Sequence, residues 1–578
     1  MLTLLERFSN KDRGQRRPRR PAREQKLNRL IRVLALVLLV PVVTISGVSA
    51  QPAPAARRDH VVIGLSQEPN RLMPMWTAMA AAFTVMSTMF TWDTQRDEKW
   101  KLFPQGAEYL PNLKDGTWTV SGDKMSLVWK IRRRNWHDGR PVTCADYVFT
   151  HNVARNEQVP VVVRNLTNRI ANILCTKGAS GTDITVSWNE RYAFANVTIS
   201  EYGALPRHIL EPYYRRDPAN LEATPYGSDP KVTIGDGAYR LVEWRKGASI
   251  TVEYVADHPI FGRPKIKRIT WVIIPDTNAL VANMLAGAID VGVVPFDQLP
   301  VFERQAAGRF KVTVAPGLIW EHIDFNLDHP LLQDVRVRRA IAHAIDRELI
   351  VQQLFAGKQQ VSHSYLPPLH PGYTDTVQKY PYDPARARAL LQEAGFTPGP
   401  DGVMRNAAGQ RLSLEIGTTA GNRLREQVQV IIQQQLHQIG IEVTILNFPA
   451  RIFFRNIGQR KFTLAMYAWL FDPISDCDQL FTSDGIPTEA NRYAGQNFPG
   501  YKNGKMDAAC EGASREIDEG RRKALLNEST RLFARDLPAL PLFFRAEAVA
   551  VKSGLQNVAP TGLAGASVVW NVHRWFWE

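Results

Sequence analysis

Cysteine is scarce in this chain: Cys144, Cys175, Cys477 and Cys510 are the only four among 578 residues. No two stand in a Cys-x-x-Cys arrangement, so the sequence offers neither a zinc knuckle nor a thiol redox motif. The four fall into two sequence-local pairs. In an oxidising compartment two disulfides are expected, Cys144–Cys175 and Cys477–Cys510; four buried thiols are the alternative. Catalytic signatures are also missing. There is no HExxH, GxSxG or GxxxxGK[ST], and the twelve histidines are scattered. His363 and His370 are separated by Pro367 and Pro368 and share no helix face. The expectation is therefore a protein that is not an enzyme and has no metal and no cofactor. The mature chain has no internal repeat and no low-complexity tract.

What is present is ordinary globular material, with 44 % hydrophobic and 22 % charged residues, enough for a large core. At roughly 150 residues per domain, the length suggests three or four folding units. The first fifty residues differ. Residues 1–32 carry eleven Lys or Arg against Glu6, Asp12 and Glu24. Residues 33–50 are uncharged and end Val48-Ser49-Ala50. A basic start, an apolar stretch and small residues at the cleavage positions read as a secretory signal over 1–50, with an uncleaved membrane anchor as the alternative. No cysteine near that site provides for a lipid anchor. Without residues 1–50, 60 basic face 53 acidic residues, and the net charge falls from +15 to +7. A mild excess spread over so long a chain argues for a solvated surface and against nucleic-acid binding.

Residues 61–65 and 268–274 read as buried strands. Asp276 and Thr277 cap a helix to about Leu285, Gly287 ends it, and residues 289–294 form another strand. That is a βαβ unit, which predicts parallel pairing. Leu412, Leu414 and Ile416 alternate in a strand. A helix from Arg423 then carries Leu424, Val428, Ile431, Ile432, Leu436 and Ile439, and a strand follows Gly440. Asp334 opens a stripe of Val337, Ile341, Ile345 and Leu349, with Arg336, Arg338 and Arg339 suited to surface ion pairs and Arg347 to the helix end. Asp383-Pro384 starts a further helix and Gly395 stops it. Residues 101–200 are richer in strands, with one helix near 145–152.

Six segments in order resemble blocks of one family. Trp129 to Val148 contains His137-Asp138-Gly139, Pro141, Thr143 and Asp146. Gly235, Gly237, Tyr239 and Trp244 form a second block, Leu285, Gly287, Ile289 and Asp290 a third. The remaining three are residues 334–347, Tyr382-Asp383-Pro384 with Ala394-Gly395, and Gly500-Tyr501-Lys502-Asn503 with Asp507. Together they resemble the bacterial extracytoplasmic solute-binding family of oligopeptide-, dipeptide- and nickel-binding proteins that serve ABC importers. His137-Asp138-Gly139 reads as a tight turn rather than a catalytic pair.

That resemblance implies an α/β, two-lobed periplasmic-binding-protein fold of type II, in the large peptide-binding class, with an extra subdomain. Lobe one would comprise 57–100, 201–316 and 547–578, the subdomain 101–200 and lobe two 317–546. The lobes would be joined near Pro316-Gly317-Leu318 and near 544–547. It further implies a periplasmic monomer that closes on a peptide-like solute and hands it to permease and ATPase subunits. Nickel chelates, opines and oligosaccharides are alternative ligands. A periplasmic hydrolase and an anchored sensor or chaperone are alternative functions.

Peptide binders of the family place a carboxylate against the ligand's ammonium group, within a Trp-x-x-Asp stretch. Trp469 and Asp472 match it, but Pro473 follows at once where the family has further residues. Asp472 is therefore either the amine partner or the later aspartate of that motif, and Asp476 is the fallback. Trp469 and Trp320 are candidate pocket walls. Gln67 and Glu68 end the first strand, and Gln496 and Asn497 lie in a polar stretch after the Trp loop; all four are candidate cleft residues.

Overall fold

The computed structural model describes residues 59–77, 79–471, 474, 477, 480–491, 493, 495–563 and 568–578. The candidate export signal, Asp472 and Asp476 lie outside them. The largest sheet among the described residues has eleven strands. From one edge its strands are Glu442–Ile445, Ser413–Gly417, Leu464–Leu470, Phe310–Phe325, Ala539–Lys552, Val291–Val293, His60–Leu65, Arg268–Ile273, Ser249–Tyr254 and Tyr239–Arg245. The short strand Gln360–Val361 adds to Ala539–Lys552 off this path.

Two strands hold the halves together. Phe310–Phe325 and Ala539–Lys552 pair antiparallel along most of their length. The ladder runs from Phe310 opposite Lys552 to Ala315 opposite Glu547, then resumes with Ile319 opposite Arg545. Three residues, Pro316, Gly317 and Leu318, are left over against one, so the first strand bulges. Gly317 is required by contact rather than by its dihedrals. A β-carbon there would lie 1.4 Å from the Arg545 carbonyl oxygen.

On one side of this joint lies the first α/β unit. Asp276 caps helix Thr277–Leu285 by accepting from the Ala279 N–H. The flanking strands Arg268–Ile273 and Val291–Val293 are parallel, but they do not pair with each other. His60–Leu65 lies between them and pairs parallel with both. Direct pairing of the βαβ strands is thus corrected: local pattern sets their direction, and a strand from far earlier in the chain takes the space between. The second strand is also shorter than expected. Asp290, expected inside it, turns its carboxylate to the Val62 N–H and the Lys552 ammonium.

On the other side, Ser413–Gly417 and Glu442–Ile445 pair directly and in parallel. Helix Arg423–Gln438 between them is capped by Asn422 and buries Val428, Ile432 and Leu436. The stripe predicted from Val337 to Leu349 is broken. Helix Val335–Ala344 ends, Asp346 caps a second helix, Arg347–Phe355, and Leu349 is left 39 % exposed.

The arginines also differ from expectation. Arg336 pairs with Asp334 at the surface. Arg338 instead is buried and donates to the carbonyls of Leu332, Gln333, Asp536 and Leu537. Arg347 starts a helix rather than ending one, and donates to Ser362, Tyr380 and Pro541. Burial lowers both guanidinium pKa values to about 10. The carbonyls let these cations stay buried, because each dipole replaces a lost water.

Residues 101–200 form a sheet ordered Trp118–Ser121, Lys124–Lys130, Asp183–Trp188 and Ile170–Cys175, covered by helix Cys144–Arg155. A reciprocal capping box joins Thr143 and Asp146, and a disulfide links Cys144 to Cys175. Asp138 and Gly139 turn the chain, Gly139 at φ 89°. His137 then reaches across to the distant glycine block: its Nδ1 accepts from the Gly235 N–H, and Nε2 lies 3.0 Å from the Gly237 oxygen. Asp236 between those glycines pairs with buried Arg134 at 2.6 Å. A β-carbon on Gly237 would come within 2.7 Å of the Met89 backbone. Two separate sequence blocks are thus one structural joint.

Candidate functional site

In open α/β sheets, the carboxyl ends of parallel strands leave space for ligands. Here that space is a cavity of about 610 Å³. The ends of His60–Leu65 and Val291–Val293 line it, with residues of helix Ala80–Met89 on one wall. Gly317 and Ile319 of one joining strand and residues 545–548 of the other form its side. Leu470, from the far half of the sheet, completes it, so the cavity touches both halves at their joint. Its volume suits a small solute. The lining is mostly apolar, with Ser66, Gln67, Thr84, Arg545 and Glu547 as polar exceptions.

The expected residues fall in different places. Gln67 is exposed and lines the cavity. Glu68 turns away, accepting from the Trp244 indole and from the Gly247 N–H. Trp469 is half-buried and stacks on Phe498, ring centroids 5.8 Å apart. It does not line the cavity; its neighbour Leu470, 56 % exposed, does. Strand alternation sends successive side chains to opposite faces.

Trp320 is fully buried, stacked on His322 and met edge-on by Phe471, Phe481 and Phe533. That is core packing rather than a pocket wall. Asn497 is buried and saturated. Its amide donates to the Thr482 and Tyr501 carbonyls and accepts from the Gly500 and Tyr501 N–H groups, which leaves nothing for a ligand. Exposed Gln496 accepts from the Phe498 N–H through its backbone carbonyl and is absent from the cavity wall. Asp472 and Asp476 lie outside the described residues. Cys477 is disulfide-bonded to Cys510 of helix Gly504–Arg515.

Sequence reasoning did not single out the charged group beside the cavity. Glu321, 1 % exposed, projects from Phe310–Phe325 between two guanidiniums. Its Oε1 accepts from Arg425 Nε at 2.6 Å, and its Oε2 meets Arg545 Nη2. Burial pushes the Glu321 pKa up, but Arg545 and then Arg425 outweigh it, and the carboxyl sits below its usual range. The signal was legible: Glu321 and Asp324 interrupt the apolar run Leu318 to Phe325, and Arg545-Ala546-Glu547 interrupts the apolar run 539–550. Among the described residues no group of three or more His, Cys, Asp or Glu is placed to hold a metal ion. No described helix is long and apolar enough to cross a membrane.

Comparison with known proteins places this geometry. The oligopeptide-binding protein AppA of Bacillus subtilis is 28 % identical over 510 residues, covering 86 % of this chain and 88 % of that protein. The crystal structure of an oligopeptide-binding protein from Thermus thermophilus, complexed with a pentapeptide, superposes with a TM-score of 0.71 at 29 % identity. It covers 90 % of this chain and 96 % of its own. The structure of Bacillus subtilis AppA with a nonapeptide superposes at 0.70 and 25 % identity, covering 90 % and 99 %. The two-lobed α/β architecture that the motifs imply is the architecture of this chain. Residues 108–488 match the model of the bacterial extracellular solute-binding proteins, family 5, middle region, and the chain belongs to that family.

Proposed function

We propose that the protein captures a peptide or peptide-like solute between its lobes outside the cytoplasmic membrane and presents it to the membrane subunits of an ABC importer. The observation that carries this reading is the cavity at the joint, walled by both halves where the two joining strands lose register. A solute held there touches both halves only when they are shut. That difference in affinity drives closure. The peptide complexes of the two similar structures support a peptide ligand.

In this reading the hinge is 316–318 with 544–547. Lobe one comprises 57–100, 201–316 and 547–578 with its subdomain 101–200, and lobe two comprises 317–546. Gln67 borders the ligand, with Asp472 and Asp476 as candidate partners of a ligand ammonium. No reaction is assigned to the cleft. The protein acts as a monomer, and residues 1–50 are its export signal, so the mature chain starts at Gln51; a start at Met1 in the exported protein would instead mean an anchor.

Native mass spectrometry of freshly purified protein tests the ligand class. Bound mass that fragments as intact peptide supports the reading. A bound chelate, opine or oligosaccharide replaces the peptide with another solute, and steady conversion of added peptides into fragments contradicts a transport role.

A further inference from the structure

We propose that Arg545 anchors a carboxylate of the captured solute, so that the site selects ligands with a free carboxyl group. The inference rests on the solute-binding reading above. Three observations carry it. First, Arg545 lines the 610 Å³ cavity, opposite Ile319, at the point where the two joining strands lose register. Second, the protein supplies one acid for two guanidiniums: Glu321 is shared between Arg425 and Arg545, and among the described residues neither arginine has a second carboxylate at ion-pair distance. Third, the Arg545 Nε–H is buried and has no hydrogen-bond partner among the described residues, while its side chain remains 29 % exposed.

A buried charged donor without an acceptor is costly, and a guanidinium is shaped to take a carboxylate through two of its N–H groups. Glu321 holds Nη2 and fixes the arginine, so that little side-chain entropy is lost when the ligand arrives. Glu547, two residues further along the strand, lines the same cavity. The surrounding lining is apolar, so a carboxylate there is shielded from water and its pairing is strengthened.

The test is a calorimetric titration of peptides and of the same peptides with an amidated C-terminus, on wild type and on Arg545→Gln and Arg545→Lys. Arg545→Gln leaves Glu321 with Arg425 in a one-to-one pair. Wild type is expected to prefer the free acids. In Arg545→Gln their affinity should fall roughly 10- to 100-fold further than that of the amides, with Arg545→Lys intermediate. Equal affinity of acid and amide for wild type overturns the anchor and leaves solute binding intact; so does an equal loss for both in Arg545→Gln. Should Arg545→Gln fail to fold, the wild-type comparison decides alone. Binding of no member of the panel overturns the peptide reading, and the anchor with it.

Discussion

Removing the acid at Glu321 should damage the protein more than removing either of its arginines. Glu321→Gln leaves the guanidiniums of Arg425 and Arg545 facing a neutral amide in a site where the carboxylate is almost fully buried. Breaking a buried pair in this sense costs about 3–5 kcal/mol, because an uncompensated charge stays behind. Arg545→Gln removes the partly exposed member and leaves one acid with one cation, so its cost should be near ~1 kcal/mol. For folding units of this size, each kcal/mol shifts the melting temperature by roughly 2–4 °C, so Glu321→Gln should melt about 6–20 °C lower at pH 7. The pH dependence follows from the lowered carboxyl pKa. A group whose folded pKa lies below its unfolded value adds stability above the unfolded value, near 4.5. That stability is lost as pH falls through the folded value. The gap between wild type and Glu321→Gln should therefore be full at pH 7 and narrow as the pH drops below about 4.5. Melting curves within a degree or two of wild type, or a larger loss in Arg545→Gln than in Glu321→Gln, would refute the reasoning.

Other outcomes follow from the same geometry. Gly317→Val places side-chain atoms where the Arg545 carbonyl lies; it should destabilise by about 1–3 kcal/mol in urea melts and weaken solute binding through the hinge. Replacing Cys477 and Cys510 together with serine opens a loop spanning a sequence separation of 33; the expected loss is about 4 kcal/mol in urea melts. Burial lowers the pKa of His137, His151, His363 and His573 to about 4. The unfolded chain then takes up more protons than the folded one between about pH 6.5 and about 4, so unfolding free energy should fall steadily across that window. The His151→Phe variant should fall less steeply, and equal slopes would contradict it.

Much of the fold could be read in the chain because its periodic elements end in residues with one conformational use. Asp276, Asn422 and Asp383 accept from the first turns of their helices. Register between distant strands could not be read: His60–Leu65 separates two strands that local grammar would pair. Nor could the solvation of a cation be deduced from its neighbours in sequence. Arg336 and Arg338 stand two apart, yet one meets Asp334 at the surface and the other four buried carbonyls, because a helix turns them to different faces. At the site, Gln67 lines the cavity where the end of a strand suggested it would. Asn497 looked like a ligand residue by composition, but its four bonds hold the loop around it. Arg545, one of the cavity's two charged residues, went unremarked because its partner Glu321 is distant in the chain and only the strand pairing brings them together.

Small-angle scattering of the mature protein, with and without a saturating bound peptide, bears most directly on capture by closure. The account predicts a smaller radius of gyration on saturation in wild type, with the change reduced in Gly317→Val. A radius that stays the same while calorimetry shows the peptide bound would contradict it.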